Sequence, residues 1–444
     1  MKVLKKILIP AFCMIFAIGF TGCGGGSGGS GSTGASGASG ASGASSSNSG
    51  SVTSTPSNPF IPTSQTSGGT SGGTSGSTTS SGQSSGSVGD QGLVLIPSDP
   101  SDDAQSITNS PSILQIVHIY DSNGNVLSTP SMSSISYSGE NDFDGAALTP
   151  DGSEGVLMDG YNNKLYYFSV QNGTVSAANT LNTNYGVDGD SVAILSNGDE
   201  AVVSLDNNTY LVLVTGILSG TPQIVGGIGI PDYRNAVVIS NDDKVLLARG
   251  ANGLTVYSIA SSTPQPGDFN QTANIPSLGT SSAEFDGRGG MAISPIDSSR
   301  AVVITNIVNS TSGTVNLLTG LPGTPVLSNS TSVDYTVNTV AVSPDGTLAV
   351  VGTDNGLLMF SGVASGALSQ VGQLYAPSYS ISDTSVTLGQ ITTLGFTIDG
   401  KYVVVCDHTN GALLVIPVSS SGFGAPAGIL PGLSVPASDN IMIH

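Results

Sequence analysis

The sequence predicts an all-β fold, a seven-bladed β-propeller with six or eight blades as alternatives, carried behind a disordered tether. Three observations predict it. A strand-turn-strand pattern recurs six times, its inner strands are continuously rather than alternately apolar, and the last copy stops before its turn.

The clearest copy is residues 339–360, TVAVSPDGTLAVVGTDNGLLMF. Pro344 suits the second position of a type I turn with Gly346 at the fourth, and Asn355-Gly356 suits the positive φ angles of a two-residue hairpin. Matching turns begin at Thr149, Ser196, Ser240, Ser294, Ser343 and Thr397, at spacings of 47, 44, 54, 49 and 54 residues. Each has a short apolar run before it, a second run after it, and a third beyond an Asp, Asn or Gly turn. A looser segment rich in Gly, Ser, Thr and Pro follows. Four strands in about fifty residues, apolar on both faces of the inner ones, is what a blade packed between two neighbours requires.

The ends supply a seventh unit. Ile441 and Ile443 stand where Ala146 and Leu148 stand in the first full copy, and no turn follows them. The missing strands are expected from residues 93–96, 113–120 and 126–132. Joining the termini would close the ring and leave no exposed sheet edge. A β-solenoid is the structural rival, against which the regular hairpin turns speak.

The SPDG-like turns and their following strands resemble those of YVTN-type and lactonase-like bacterial β-propellers, most closely over residues 402–418, YVVVCDHTNGALLVIPV. The likeness spans roughly residues 91–444 and implies fold more than activity. A lactonase-like member would be expected to bring acidic and basic groups, often histidine, into its central channel. His118, His408 and His444 all lie outside the loops that lead into the innermost strands. The chain has no tryptophan, so the tryptophan-aspartate repeat signature is absent.

Ahead of this domain, Lys2, Lys5 and Lys6 precede an apolar run over residues 7–20 and then Thr21-Gly22-Cys23. This is a secretion signal, too short to span a bilayer stably. The small residues before Cys23 resemble the lipobox of bacterial lipoproteins, which implies cleavage after Gly22 and acylation of Cys23, although Phe20 departs from the usual aliphatic residue. The plainer alternative is an ordinary signal peptide. Gly24 in place of aspartate favours the outer membrane by the same resemblance. Residues 1–22 are thus assigned to the signal, 23–90 to a lipidated linker and 91–444 to the propeller. The linker is built of Gly, Ser, Thr and Ala, cannot bury a core, and would span on the order of 45 Å.

Composition excludes some functions. With 30 acidic and 10 basic residues the chain carries a net charge of −20, which repels nucleic acid. Calcium is compatible with that acidity, but the Asp-Gly pairs do not fit the twelve-residue calcium loop. Cys406 is the one cysteine of the propeller region and reads as a small buried hydrophobe.

The candidate site lies in the lead-in loops, which in a propeller open on the channel. Eight residues before the turn Ser stand Asp188, Asp232 and Asp286; six before it stand Asp190, Arg234 and Arg288; Asp144 and Asp334 fall close by. Paired guanidinium groups there would clamp a carboxylate or phosphate, with aspartates as cation ligands or general bases. The alternative is that each Arg pairs with an Asp and each Asp caps a turn. The lead-in loop of the clearest copy, residues 333–338, has Tyr335 where others have aspartate, which directs attention to the other copies. The expected role is a lipid-anchored binding or assembly module of the cell envelope with a protein or glycan partner; the alternative is a lactonase-like hydrolase.

Overall fold

The computed structural model describes residues 92–98, 113–137, 143–149, 152–159, 164–171, 173–176, 179–182, 189–205, 210–231, 236–250, 252–279, 290–306, 310–381, 384–433 and 441–443. The expected signal, the expected linker and Cys23 lie outside them. All the described residues belong to one compact unit, Ser81–His444.

Seven antiparallel sheets form a seven-bladed β-propeller. Numbering the blades from the first complete unit, the innermost strands are Phe143–Leu148, Gly189–Ile194, Ala236–Ile239, Met291–Ile293, Val337–Val342, Ile391–Phe396 and Met442–Ile443. Blade 7 is built from both ends of the domain. Met442–Ile443 pairs antiparallel with Leu93–Ser98, with Val94 opposite Ile443 and Leu95 opposite Met442. Ile113–Tyr120 and Val126–Ser136 complete that sheet. Closure by strands from both termini therefore occurs as the repeat pattern predicts.

Burial explains the continuous apolar runs. The second strand of blade 5, Leu348–Thr353, is buried at all six positions. Its side chains alternate between two neighbours: Ala349 and Val351 pack with Val302 and Val315 of blade 4, whereas Leu348 and Val350 pack with Val403 and Val405 of blade 6. Such apolar clusters fill all seven junctions between adjacent blades, including both sides of blade 7. Cys406 is fully buried in one of them, where burial pushes its thiol up to about 12. No helix among the described residues is long and apolar enough to cross a membrane.

The turns hold the register. In blade 5 the Gly346 amide donates to the Ser343 carbonyl at 2.8 Å, with Pro344 and Asp345 between them and Gly346 at φ 68°. The Ser343 hydroxyl accepts from the Leu348 amide at 2.9 Å and donates to Asp345 at 2.6 Å. Two local expectations change. Thr353 pairs with Gly356, so the hairpin loop is Asp354-Asn355, and the positive φ of 131° falls on Gly356 as the next strand begins. In blade 2 the residue equivalent to Thr149 is Leu195, one position before Ser196: Leu195 donates to the Glu200 carbonyl and accepts from Gly198, as Thr149 does with Glu154 and Gly152. Similarity of the Ser-Asn-Gly-Asp string to the other turns hid this offset.

Candidate functional site

The innermost strands leave one edge unpaired, and those edges form the wall of the central channel. At the end where the innermost strands enter their turns, the channel holds a cavity of about 480 Å³ to which every blade contributes. Its side chains are mostly small and aliphatic, among them Ala147, Val192, Val238, Ala292, Ala341 and Ile443. Gly395 admits the tight fit here, because a Cβ would lie 2.8 Å from Ile443 Cδ1. Pro295, Pro344 and Ile398 line the rim. The wall offers aliphatic side chains, the Asn241 amide and backbone donors and acceptors, and no ionisable side chain among the described residues lines it.

Carboxylates of the surrounding turns are engaged locally. Asp399 pairs with Lys401 at 2.9 Å, Asp297 with Arg300 at 3.0 Å, and Asp242 with Lys244 at 2.9 Å. Asp242 also accepts from the Ser298 hydroxyl of the next blade at 2.9 Å. Burial pushes Asp345 up, but hydrogen bonds from Ser343 and Thr347 outweigh it and hold the carboxyl below its ordinary range. Glu200 moves the other way: burial raises it, the Asn197 hydrogen bond opposes, and the charges of Asp199 and Asp243 add to the rise.

Of the sequence candidates, Asp144, Asp190 and Asp334 lie at the opposite, lead-in end. Asp188, Asp232, Arg234, Asp286 and Arg288 lie outside the described residues. The innermost strands of blades 1 and 2 carry an irregularity at Asp144 and Asp190: Phe143 pairs with Asp159 and Gly145 with Met158, while Gly189 pairs with Leu205 and Ser191 with Ser204. With the turn of blade 2 moved to Leu195, Asp190 is equivalent to Asp144 rather than to Arg234. Blades 5 and 6 skip Asn338 and Thr392 in the same way. A polar residue thus occupies this bulge in each of the four blades where it is described. Asn338 donates to Asp354 at 3.1 Å, and the Thr392 hydroxyl is shielded from solvent with no hydrogen-bond partner among the described residues. Asp334 is exposed in the bend between blades 4 and 5. Among the described residues no group of three or more metal-ligating side chains converges.

Three features escaped the sequence reading. Arg249, at the lead-in end of the second strand of blade 3, is fully buried; its Nε donates to the Leu278 carbonyl at 2.8 Å, and burial pushes the guanidinium down to about 9. A charge inside the apolar run VLLARG was the available signal. In blade 6 the Tyr379 hydroxyl donates to Asp407 at 2.8 Å, and Asp407 also accepts from Asn410 at 2.7 Å and from the Gly389 amide at 3.2 Å. Burial first, and the Asp407 carboxylate next, push the Tyr379 phenol well up. This cluster roots an added hairpin, Ser378–Ile381 with Thr384–Thr387, outside the blade pattern. Lastly, Tyr335 and Tyr375 form a ring pair with centroids 5.3 Å apart and planes at 36°. Tyr375 is 54% exposed.

No family model matches the chain, and no curated protein matches it. Solved structures do. A putative 6-phosphogluconolactonase from Bacteroides uniformis shares 15% identity at a TM-score of 0.55, covering 79% of this chain and 99% of its own. The periplasmic gluconolactonase of Pseudomonas aeruginosa shares 16% at 0.53, covering 79% and 98%. A functionally unknown protein from Desulfotomaculum acetoxidans shares 16% at 0.55, covering 80% and 98%. At such identities the likeness is one of fold.

Proposed function

We propose that this protein is a lipid-anchored propeller of the bacterial cell envelope, held through Cys23, that acts through its loop surfaces as a binding or assembly module. The observation that carries this is the chemistry of the channel. The side chains of its described wall are mostly aliphatic and none of them is ionisable, and the neighbouring turn carboxylates are held in hydrogen bonds or ion pairs. Asp144, Asp188, Asp190, Asp232, Arg234, Asp286, Arg288 and Asp334 at the lead-in end are the proposed contact residues. Recovery of a specific partner from envelope extract by the wild-type chain, weakened by Arg234→Ala with Arg288→Ala, is the expected result. Recovery of none at low or high salt, with or without calcium, would count against it.

A second function is favoured by the lactonase names of two of the structural neighbours. It places a hydrolase site at the same lead-in mouth, with the two arginines binding an anionic substrate and an aspartate activating water. Turnover of a sugar lactone that disappears in the double arginine variant would favour it over the binding role.

A further inference from the structure

We propose that the lead-in edge of blade 5 is a sugar-binding platform that takes a neutral polysaccharide. It rests on the binding role above and names the class of partner. Tyr375 is exposed and its ring pairs with that of Tyr335, which is half-buried against the apolar cluster between blades 4 and 5; the Gln373 amide donates to the Tyr335 hydroxyl at 3.0 Å. The C–H face of a sugar ring stacks on such a surface, while its hydroxyls take hydrogen bonds from amides and hydroxyls beside it.

Both tyrosines are fixed by one turn. The Asp354 amide donates to the Thr336 carbonyl at 3.3 Å, next to Tyr335, and the Ala376 amide donates to the Asn355 carbonyl at 2.8 Å, next to Tyr375. Ala376 is held at φ 40°, a conformation costly for a residue with a Cβ. Backbone held this way presents the rings with little entropy left to lose on binding. Beyond Ala376 the added hairpin continues the same chemistry. Ser378 faces Thr387 and Ser380 faces Ser385 across its strands, all four exposed, whereas Tyr379 is buried beneath. Asp334 is the one charged residue adjoining Tyr335 in sequence, and with a chain charge of −20 an anionic polymer is disfavoured.

The test is binding of cellohexaose, xylohexaose and mannohexaose to the full chain, followed by saturation-transfer NMR and by tyrosine fluorescence, which no tryptophan masks. At least one probe is expected to bind. Tyr375→Ala is expected to weaken it about tenfold, the loss of one stacked ring, and Tyr375→Phe to leave it nearly unchanged. No binding of any probe, or equal binding by a Tyr375→Ala variant with an unchanged melting temperature, overturns the platform. If the extract experiment still recovers a protein partner in that case, the platform alone falls; if both fail, the binding role falls with it.

Discussion

Asp243 of blade 3 binds Ser196 of blade 2. Its carboxylate accepts from the Ser196 amide at 2.7 Å and from the Ser196 hydroxyl, joining two turns 47 residues apart in the chain. Asp243 does so from φ 54°, the position that Gly152, Gly346 and Gly400 fill in blades 1, 5 and 6. A side chain at that site is costly for the backbone, and the inter-blade contact offsets the cost. Asp243→Ala keeps the unfavourable φ and loses the contact, so it is expected to destabilise by about 2–3 kcal/mol. Asp243→Gly relieves the backbone and should cost about 1 kcal/mol less than the alanine. Urea unfolding of the two variants measures the difference, and equal losses would refute this account of the site.

Glu200 makes stability depend on pH in the opposite sense to Asp242, Asp345 and Asp399. Its folded pKa is raised, so its contribution is fully present below the unfolded value and is lost as pH rises through the folded one. Asp242, Asp345 and Asp399 are lowered, so theirs are present above the unfolded value and lost as pH falls through the folded ones. Glu200→Gln should therefore raise the urea midpoint at pH 7, with the gain shrinking toward pH 4. A gain that grows on acidification would show the sign to be wrong.

Gly356 is a backbone requirement. At φ 131° a Cβ would fall on the Leu374 carbonyl oxygen, one residue before Tyr375. Gly356→Ala is expected to cost about 2–4 kcal/mol and to shift the NMR signals of Tyr335 and Tyr375. Thermal unfolding and the tyrosine ring resonances check the two effects separately.

Cys23 carries the proposed anchor. Radiolabelled palmitate is expected in the wild-type chain and absent from Cys23→Ala, which should move from the detergent phase to the aqueous phase on Triton X-114 partition. Several acyl chains hold a protein on a membrane durably, so an unchanged partition would remove the anchor.

Much of the ring was legible because its signals are local. A buried strand between two turn formers reads as such from its own residues, and Leu348–Thr353 declared its two-sided burial without reference to any partner. Even the closure of blade 7 was legible, since Ile441 and Ile443 lacked a following turn. Alignment of the candidate site was less secure. Asp190 was set beside Arg234 by a turn string that the hydrogen bonds of Leu195 displace by one residue.

By itself, then, the sequence determined the strand content, the repeat, the closing of the ring by its two ends and the acidic charge, all of which follow from periodicity and composition. Tertiary structure alone decided which side chains meet between blades. It brought Ser196 to Asp243, Tyr335 to Tyr375 and Tyr379 to Asp407. These pairs are 47, 40 and 28 residues apart, and packing of separate strands and loops sets such distances, which no local propensity encodes.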